Sequence, residues 1–247
     1  MQFFYDEEPT QDFKKNFFTV DENYKFNLSV ASLSVKNKRE EKKFGKEIGE
    51  YIIVNSPLLN FENDNCLIYT QKILNKVLKT LVQKPQDKIL IVGLGNQAIQ
   101  ADSLGGKVIE NIIIKDNIYL LKPDVYGNTN IMSFDIINGV CKTLKPSLVV
   151  LIDSLATYNI KRLASSFQFC NVGILPGGAL HGMNKTISVK TLGIPCVVVG
   201  VPFMIFASGL CPSLKQPYDS FILSLKDIDE IVSRCGKMIA DAIMQVY

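Results

Sequence analysis

Three short segments, in which nearly every residue is apolar, constrain the fold of this chain more than any other feature. They cover residues 88–92, 147–152 and 195–200. Runs of this length and composition are typical of strands buried on both faces of a parallel sheet. Because stretches with helical spacing of apolar residues lie between them, the sequence predicts an α/β fold with a mostly parallel or mixed sheet flanked by helices.

Apolar spacing predicts the other elements as well. The predicted helices cover residues 66–82, 131–144 and 155–163, one stretch from Leu104 onward and one from Asp227 to the C-terminus, and further strands are predicted at 26–30 and 49–54. Ser224 and Asp227 resemble a capping box at the start of the last helix. The chain has 247 residues, 47% of them hydrophobic, and it shows no repeat or linker, so we expect a single α/β domain over residues 1–247.

Composition disfavours several classes of protein. The formal net charge of +3 does not indicate nucleic-acid binding. The N-terminus does not resemble a signal peptide, and the longest apolar run, residues 196–210, is interrupted by glycine and proline, so no membrane association is expected. The six cysteines form no CxxC motif, which predicts reduced thiols in a cytoplasmic protein with neither a metal nor a cofactor. His181 is the one histidine, so a Cys–His protease is disfavoured.

The turn after the first apolar segment has two interpretations. Gly93-x-Gly95-x-x-Ala98 loosely matches a dinucleotide-binding fingerprint. That interpretation is disfavoured because the helical pattern begins only near Leu104, whereas a pyrophosphate site needs the helix to start within the glycines. In the other interpretation, Gly93 and Gly95 allow a tight turn that presents Asp102.

In this second interpretation Asn96 bonds its own backbone within the turn, and Ser103 lies beside Asp102. Asp102 then acts on a substrate, or it serves only as the N-cap of the following helix. Asp153 follows the second apolar segment directly, and the carboxyl ends of parallel strands meet at one edge of a sheet. We therefore expect both carboxylates at the same edge, within about 3–7 Å of each other, unless they cap separate helices.

Two neighbouring carboxyl groups resist double ionisation, so one of them keeps a proton near neutral pH. Such a pair can activate water with one member and protonate a leaving amine with the other.

A third segment of interest contains Asn171, Gly173, Pro176, Gly177 and Gly178. Its exposed backbone N–H groups are suited to binding a substrate strand or an oxyanion, and a purely structural loop fits the composition equally well.

Taken together, these motifs resemble the germination proteases of spore-forming bacteria. Four groups of residues carry the resemblance, and they occur in the same order as in that family. The groups are Gly93–Asn96 with Asp102, Leu104 and Gly105; Asp153 with Leu155 and Ala156; Gly173, Ile174, Pro176 and Gly177; and Thr191–Pro195 with Gly200–Pro202. Gly45, Lys46, Gly49 and Tyr51 also fit, as does the final helix, so the resemblance covers most of the chain.

The resemblance implies a fold shared with hydrogenase-maturation proteases. It also implies an atypical aspartic endopeptidase that degrades small acid-soluble spore proteins during germination, in the forespore or spore core. The catalytic carboxylates of the family correspond to Asp102 and Asp153. By the same resemblance, the chain is expected to be a zymogen whose residues 1–16 are flexible or removable, and to assemble as a tetramer.

Several positions depart from the family pattern. Gln100 and Ala101 precede the first aspartate where Thr-Pro is usual, and Asn171, Leu175 and Phe206 replace an Asp, a His and an Asp. These losses leave two alternatives open: an inactive or re-purposed relative that binds a protein partner, and a protease of the hydrogenase-maturation type.

Overall fold

The computed structural model describes residues 28–56, 64–82, 87–177, 185–214, 216–218 and 221–247. Within these residues the strands are β1 Ser29–Val35, β2 Gly49–Asn55, β3 Ile89–Gly93, β4 Ile118–Leu121, β5 Leu148–Thr157, β6 Ser166–Cys170, β7 Cys196–Phe206 and β8 Ile222–Ser224. The helices are α1 Lys38–Phe44, α2 Asp64–Leu81, α3 Leu104–Asn111, α4 Tyr126–Thr129, α5 Ser133–Leu144, α6 Val189–Leu192, α7 Ala207–Leu210 and α8 Ile228–Val246. Two short 3₁₀ helices cover Gln100–Asp102 and Ile160–Arg162.

All of these strands belong to one mixed sheet. Their order is β1-β2-β6-β7-β5-β3-β4, and β8 pairs with the end of β7. The pairs β4–β3, β3–β5 and β5–β7 are parallel, whereas β1–β2, β2–β6, β6–β7 and β7–β8 are antiparallel. The parallel strands need crossover connections, which α3 and α5 supply in the chain order β3-α3-β4-α5-β5. The predicted α/β fold with a mixed sheet flanked by helices is therefore confirmed.

Both faces of the central strands are covered, which explains their continuous apolar sequences. On one face, the sheet packs against α2, α3 and α8 through residues such as Leu74, Leu104 and Ile239. On the other face, α5 contributes Phe134 and Ile137. Residues 89–92 are at most 1% exposed, so a polar side chain anywhere in this strand would lose its hydration on both sides of the sheet.

The predicted strands around 49–54, 88–92, 147–152 and 195–200 and the predicted helices around 66–82 and 131–144 are confirmed, with small shifts at their ends. The predicted helix over 155–163 is wrong. The strand β5 continues to Thr157 because β7 also continues, to Phe206, and remains paired with it. Only Ile160–Arg162 then forms a short 3₁₀ helix, so sheet pairing prevails over a local helical spacing of apolar residues.

The predicted capping box before the last helix is also wrong. Asp227 occupies the N-cap position of α8, without a side-chain capping bond, and Ser224 ends β8. The Ser224 hydroxyl donates instead to the carbonyl of Phe203, at 2.7 Å, and so fastens β8 to β7. Of the strand predicted at 26–30, residues 26–27 lie outside the described residues, as do residues 1–16, and β1 begins at Ser29.

Most of the cysteines are buried, and their redox state stays a prediction. None of the six cysteines, all of which lie within the described residues, forms a disulfide, and Cys211 is the exposed one. Burial raises the pKa of the Cys170 and Cys196 thiols to about 12, so both stay protonated at neutral pH.

Among the described residues, no helix combines the length and the apolar character that a membrane crossing requires.

Candidate active site

The turn after β3 brings Asp102 back against Gly95. Gly95 has a φ of +95°, which favours glycine, and a Cβ atom there would lie 3.0 Å from Oδ1 of Asp102 and closer still to its carbonyl oxygen. The Asn96 side chain accepts a 3.0 Å hydrogen bond from the N–H of Ala98, as expected from the sequence. The glycine and the Asn96 turn together fix the path that ends at Asp102.

The carboxylate of Asp102 is held by this turn and does not cap the following helix. Its Oδ2 accepts a 2.7 Å hydrogen bond from the backbone N–H of Asn96. Helix α3 begins at Leu104, with Ser103 at the N-cap position, while Asp102 ends the preceding 3₁₀ helix. The buried Ser103 hydroxyl donates to the carbonyl of Gln100 at 2.8 Å, so it stabilises the 3₁₀ turn.

The absence of a side chain at Gly93 lets α3 pack directly on β3. A Cβ atom at Gly93 would collide with the carbonyl group of Gly105, and one at Gly105 would collide with the backbone of Leu94. The strand end and the first turn of the helix are therefore in backbone contact. This contact, rather than a phosphate site, accounts for the first glycine and for Gly105, since α3 begins eleven residues after Gly93.

Asp153 lies within β5 and does not end it, contrary to the prediction. The neighbouring strand β3 stops at Gly93, which pairs with Ile152, and the N–H of Leu94 makes a 2.8 Å bond to the carbonyl of Ile152. Asp153 is therefore the first residue of β5 beyond the end of β3. It is only 7% exposed. The carboxyl edge of β3, from which the Asp102 turn departs, lies next to it.

The two carboxyl groups influence each other electrostatically. Burial raises the pKa of Asp153 well above its usual value, the charge of Asp102 raises it further, and the backbone N–H of Ser154 opposes both effects. Burial raises the pKa of Asp102 to about 6, against the opposing effect of the bond from Asn96. Near neutral pH the pair therefore favours an ionised Asp102 beside a protonated Asp153.

A hydrogen bond joins the start of α3, just after Asp102, to the residue that follows Asp153. The backbone N–H of Leu104 donates to the hydroxyl of Ser154 at 3.3 Å, in a buried environment. Leu104 lies two residues after Asp102, and Ser154 directly follows Asp153. The start of α3 is thus bonded, beside the acidic pair, to the part of β5 that extends beyond the end of β3.

The third segment named by the sequence is held by contacts of its own. The Asn171 side chain accepts a 2.8 Å bond from the backbone N–H of Glu50 and so fastens the end of β6 to β2. Gly173 has a φ of +113° and lies against Ile187 and Ser188, and Gly177 has a φ of +60°.

Pro176 is buried, whereas Gly178 and His181 lie outside the described residues. Within residues 171–177, no hydrogen bond reaches Asp102 or Asp153. The proposed substrate-binding role of this segment therefore remains a prediction.

Two of the departures from the family pattern take part in apolar packing. Ala101 is buried in the core between the sheet and α8. Phe206 stacks on Tyr158, with ring centroids 4.3 Å apart, where β5 and β7 end. Leu175, in the third segment, is half-buried.

Sequence reasoning missed a buried polar residue on the sheet face that carries Asp153. Gly200 of β7 pairs with Asp153 of β5 on one side and with Gln168 of β6 on the other. Gln168 is 3% exposed. A polar residue between Phe167 and Phe169, inside an otherwise apolar strand, was the signal available in the sequence.

The burial of two cations was not predicted either. Lys46 is 6% exposed and Arg162 is 8% exposed. Burial lowers the pKa of Lys46 to about 8, with a raising contribution from Cys170 and a lowering one from the charge of Arg162. Over the part of the chain that the structure describes, no three His, Cys, Asp or Glu residues are grouped to hold a metal ion.

Comparison with known proteins relates the chain to a family. The sequence model of the family described as "Germination protease" matches residues 3–215. A germination protease from Clostridium tetani is 34% identical over 198 residues, which are 73% of this chain and 61% of that protein. One from Caldanaerobacter subterraneus subsp. tengcongensis is 28% identical over 223 residues, which are 84% of this chain and 67% of that protein. The chain thus spans about two thirds or less of the length of these relatives.

Among solved structures, the chain is similar to the NiFe hydrogenase maturation protease HycI from Thermococcus kodakarensis KOD1. The similarity covers 68% of this chain and 99% of that one, with a TM-score of 0.44 and 16% sequence identity. The family match and the curated relatives extend over most of the present sequence, including both aspartates. The chain therefore belongs to the germination protease family.

Proposed function

We propose that this protein is an endopeptidase in which Asp102 and Asp153 act as an acid–base pair. The observation that carries the proposal is the electrostatic coupling of a buried Asp153 to Asp102, which separates the protonation states of the two groups. Pairs of carboxyl groups whose environments separate their pKa values are suited to acid and base roles in one reaction. Membership of a protease family gives the same reaction class.

In the proposed mechanism, ionised Asp102 accepts a proton from a water molecule as the water oxygen attacks the carbonyl carbon of the scissile peptide. Protonated Asp153 donates its proton to the amide nitrogen as the C–N bond breaks, so that an amine and a carboxylic acid are released. Asp102 then holds the proton taken from water. Transfer of one proton from Asp102 to Asp153, directly or through a new water molecule, restores the starting state.

The proposed substrates are small acid-soluble spore proteins. This assignment rests on the family and on its resemblance to proteases of spore germination, and it needs no cofactor. We also propose that several copies assemble, as a tetramer by the same resemblance. A further part of the proposal is that residues 1–16 are removed. Size-exclusion chromatography with light scattering measures the first, and N-terminal sequencing after incubation measures the second.

Digestion of a purified small acid-soluble spore protein, followed by mass spectrometry, tests the activity. The wild type is expected to release discrete fragments, whereas Asp102→Asn and Asp153→Asn are expected to release none. Fragments from all three proteins would point to a contaminating protease or to another site and would contradict the acid–base pair. A chelator has no effect under this proposal but would inhibit a metal-dependent protease of the hydrogenase-maturation type.

A second candidate is a relative that binds a protein partner without cleaving it. The apolar packing of Ala101 and Phe206 at positions where the family carries other residues favours this alternative. Binding of the intact spore protein by the wild type, with no fragments after prolonged incubation, would support it. Cleavage by the wild type excludes it.

A further inference from the structure

We infer that Gln168 binds a main-chain amide group of the substrate, next to the peptide bond that the aspartates cleave. This inference rests on the proposed peptidase function and specifies how the same site holds a polypeptide. Three observations carry it. They are the position of Gln168 in the sheet, the apolar surface between Gln168 and Asp153, and the hydrogen bonding and solvent contact of the Gln168 side-chain amide.

Gln168 and Asp153 lie on the same face of the sheet, in the same row. Asp153 pairs with Gly200 in the parallel β5–β7 ladder, and Gly200 pairs with Gln168 in the antiparallel β6–β7 ladder. Side chains of paired residues project from the same face. The neighbours two positions away agree, since Leu151 and Cys170 both belong to the core on this face.

The middle position of this row carries no side chain of its own. Two strand spacings separate the Cα atoms of Asp153 and Gln168, a distance of roughly 10 Å. Leu155 occupies the space above Gly200, because a Cβ atom there would lie 2.6 Å from Cδ1 of Leu155. The row therefore presents a carboxyl group, an apolar surface and a carboxamide in sequence. Three extended residues of a polypeptide span a similar distance.

Gln168 is 3% exposed as a residue, and no hydrogen bond of its side-chain amide is found among the residues that the structure describes, yet neither amide atom is among the fully buried polar atoms that lack a partner. The amide therefore keeps some contact with solvent at the end of a largely buried side chain, so its hydrogen-bonding groups are available to a bound polypeptide. A carboxamide offers one acceptor oxygen and an NH₂ donor, which complement the N–H and C=O of a peptide group. A neutral main-chain amide is therefore the chemical class that this position fits.

Gln168→Met tests the inference because it retains the length of the side chain and removes only the amide. We expect the KM for a small acid-soluble spore protein to rise about 10-fold while kcat changes less than about twofold, since the lost bond holds substrate and transition state alike. The melting temperature is expected to stay about the same, because the substitution retains the volume of the side chain and removes no hydrogen bond within the described residues.

Ser166→Ala is the matched control. Ser166 lies in the same strand, is fully buried, and its hydroxyl also lacks a hydrogen-bonding partner within the described residues. This variant should leave KM and kcat unchanged. If Gln168→Met likewise leaves both constants unchanged while the wild type cleaves, Gln168 has only a structural role and the inference is overturned.

A binding measurement separates this inference from the proposed function. If the wild type cleaves nothing, the proposed function fails, and calorimetry with the intact spore protein is then made with Asp102→Asn, alone and combined with Gln168→Met. About 10-fold weaker binding by the double variant supports the role of Gln168. Equal affinities, or no binding by either protein, overturn it.

Discussion

The backbone N–H of Asn96 donates a 2.7 Å hydrogen bond to Oδ2 of Asp102, and the glycine before it lies directly against the same aspartate. The first site carboxylate is thus positioned by the main chain of a turn rather than by another side chain. Positioning of this kind depends on the turn keeping a conformation that only glycine adopts without strain at Gly95.

Gly95→Ala should therefore displace Asp102 and lower kcat/KM at least about 10-fold, because its Cβ atom would collide with the Asp102 backbone. Gly193→Ala is the matched control: Gly193 also has a positive φ, of +72°, but a Cβ atom there meets nothing within 4 Å. Gly193→Ala should lose about 1–2 kcal/mol of unfolding free energy through backbone strain, and Gly95→Ala should lose more because its Cβ atom also meets the Asp102 backbone. Steady-state kinetics with equal loss of activity in the two variants would contradict the positioning role of Gly95.

The pH dependence of cleavage should follow the two carboxyl groups. Because the pKa of Asp102 is about 6, the fraction of ionised base, and with it kcat/KM, is expected to rise as the pH increases through that value. At higher pH the rate should fall again once Asp153, whose pKa is also raised, loses its proton. A kcat/KM profile that stays flat between about pH 5 and pH 7 would exclude this assignment of roles.

Asp153→Asn should abolish cleavage and also stabilise the protein at neutral pH. The unfolded chain releases the Asp153 proton near pH 4, whereas the folded state retains it to a higher pH, so the wild-type free energy of unfolding decreases as the pH rises between those values. Asparagine removes this loss and should add about 1 kcal/mol or more at pH 7. Thermal unfolding at pH 7 and at about pH 3.5 measures it, and a gain as large at the lower pH would contradict the cause given.

Two substitutions of Asn171 distinguish its contribution to stability from its contribution to cleavage. Asn171→Ala leaves the part-buried N–H of Glu50 without its acceptor, so the free energy of unfolding should decrease by about 1 kcal/mol. Asn171→Asp retains an acceptor oxygen at this position and should keep most of the wild-type stability. Chemical denaturation measures both effects, and kcat/KM of Asn171→Asp against the wild type shows whether an acid here contributes to cleavage.

Local sequence patterns predicted the strands well because the strands are buried on both faces. The continuous apolar runs of β3, β5 and β7 leave no competing interpretation of the sheet core. The end of β5 could not be predicted, since Asp153–Thr157 remain extended only through pairing with the equally long β7. The prediction of a capping box was wrong for a related reason. The Ser224 hydroxyl bonds to β7, which lies close in space but more than 20 residues away in sequence.

Within the site, the sequence indicated the acids and their turn but missed the residues around them. Asp102, Asn96 and both glycines of the turn follow from local rules about tight turns after strands. Gln168 and Arg162 become notable only through burial, and Lys46 had been singled out only for its match to the family pattern. Burial depends on the order of strands in the sheet. That order inserts the antiparallel β6 between β2 and β7, and no spacing of residues along the chain specifies it.

The bond between the Leu104 N–H and the Ser154 hydroxyl has a consequence for how the acidic pair can vary. Neither residue is an acid, yet each is within two positions of one of the aspartates. The distance between the two carboxyl groups is therefore adjustable through neighbours that take no part in proton transfer. Exchange of Ser154 for a bulkier or shorter residue would change that distance and the strength of the coupling while leaving both aspartates in the sequence.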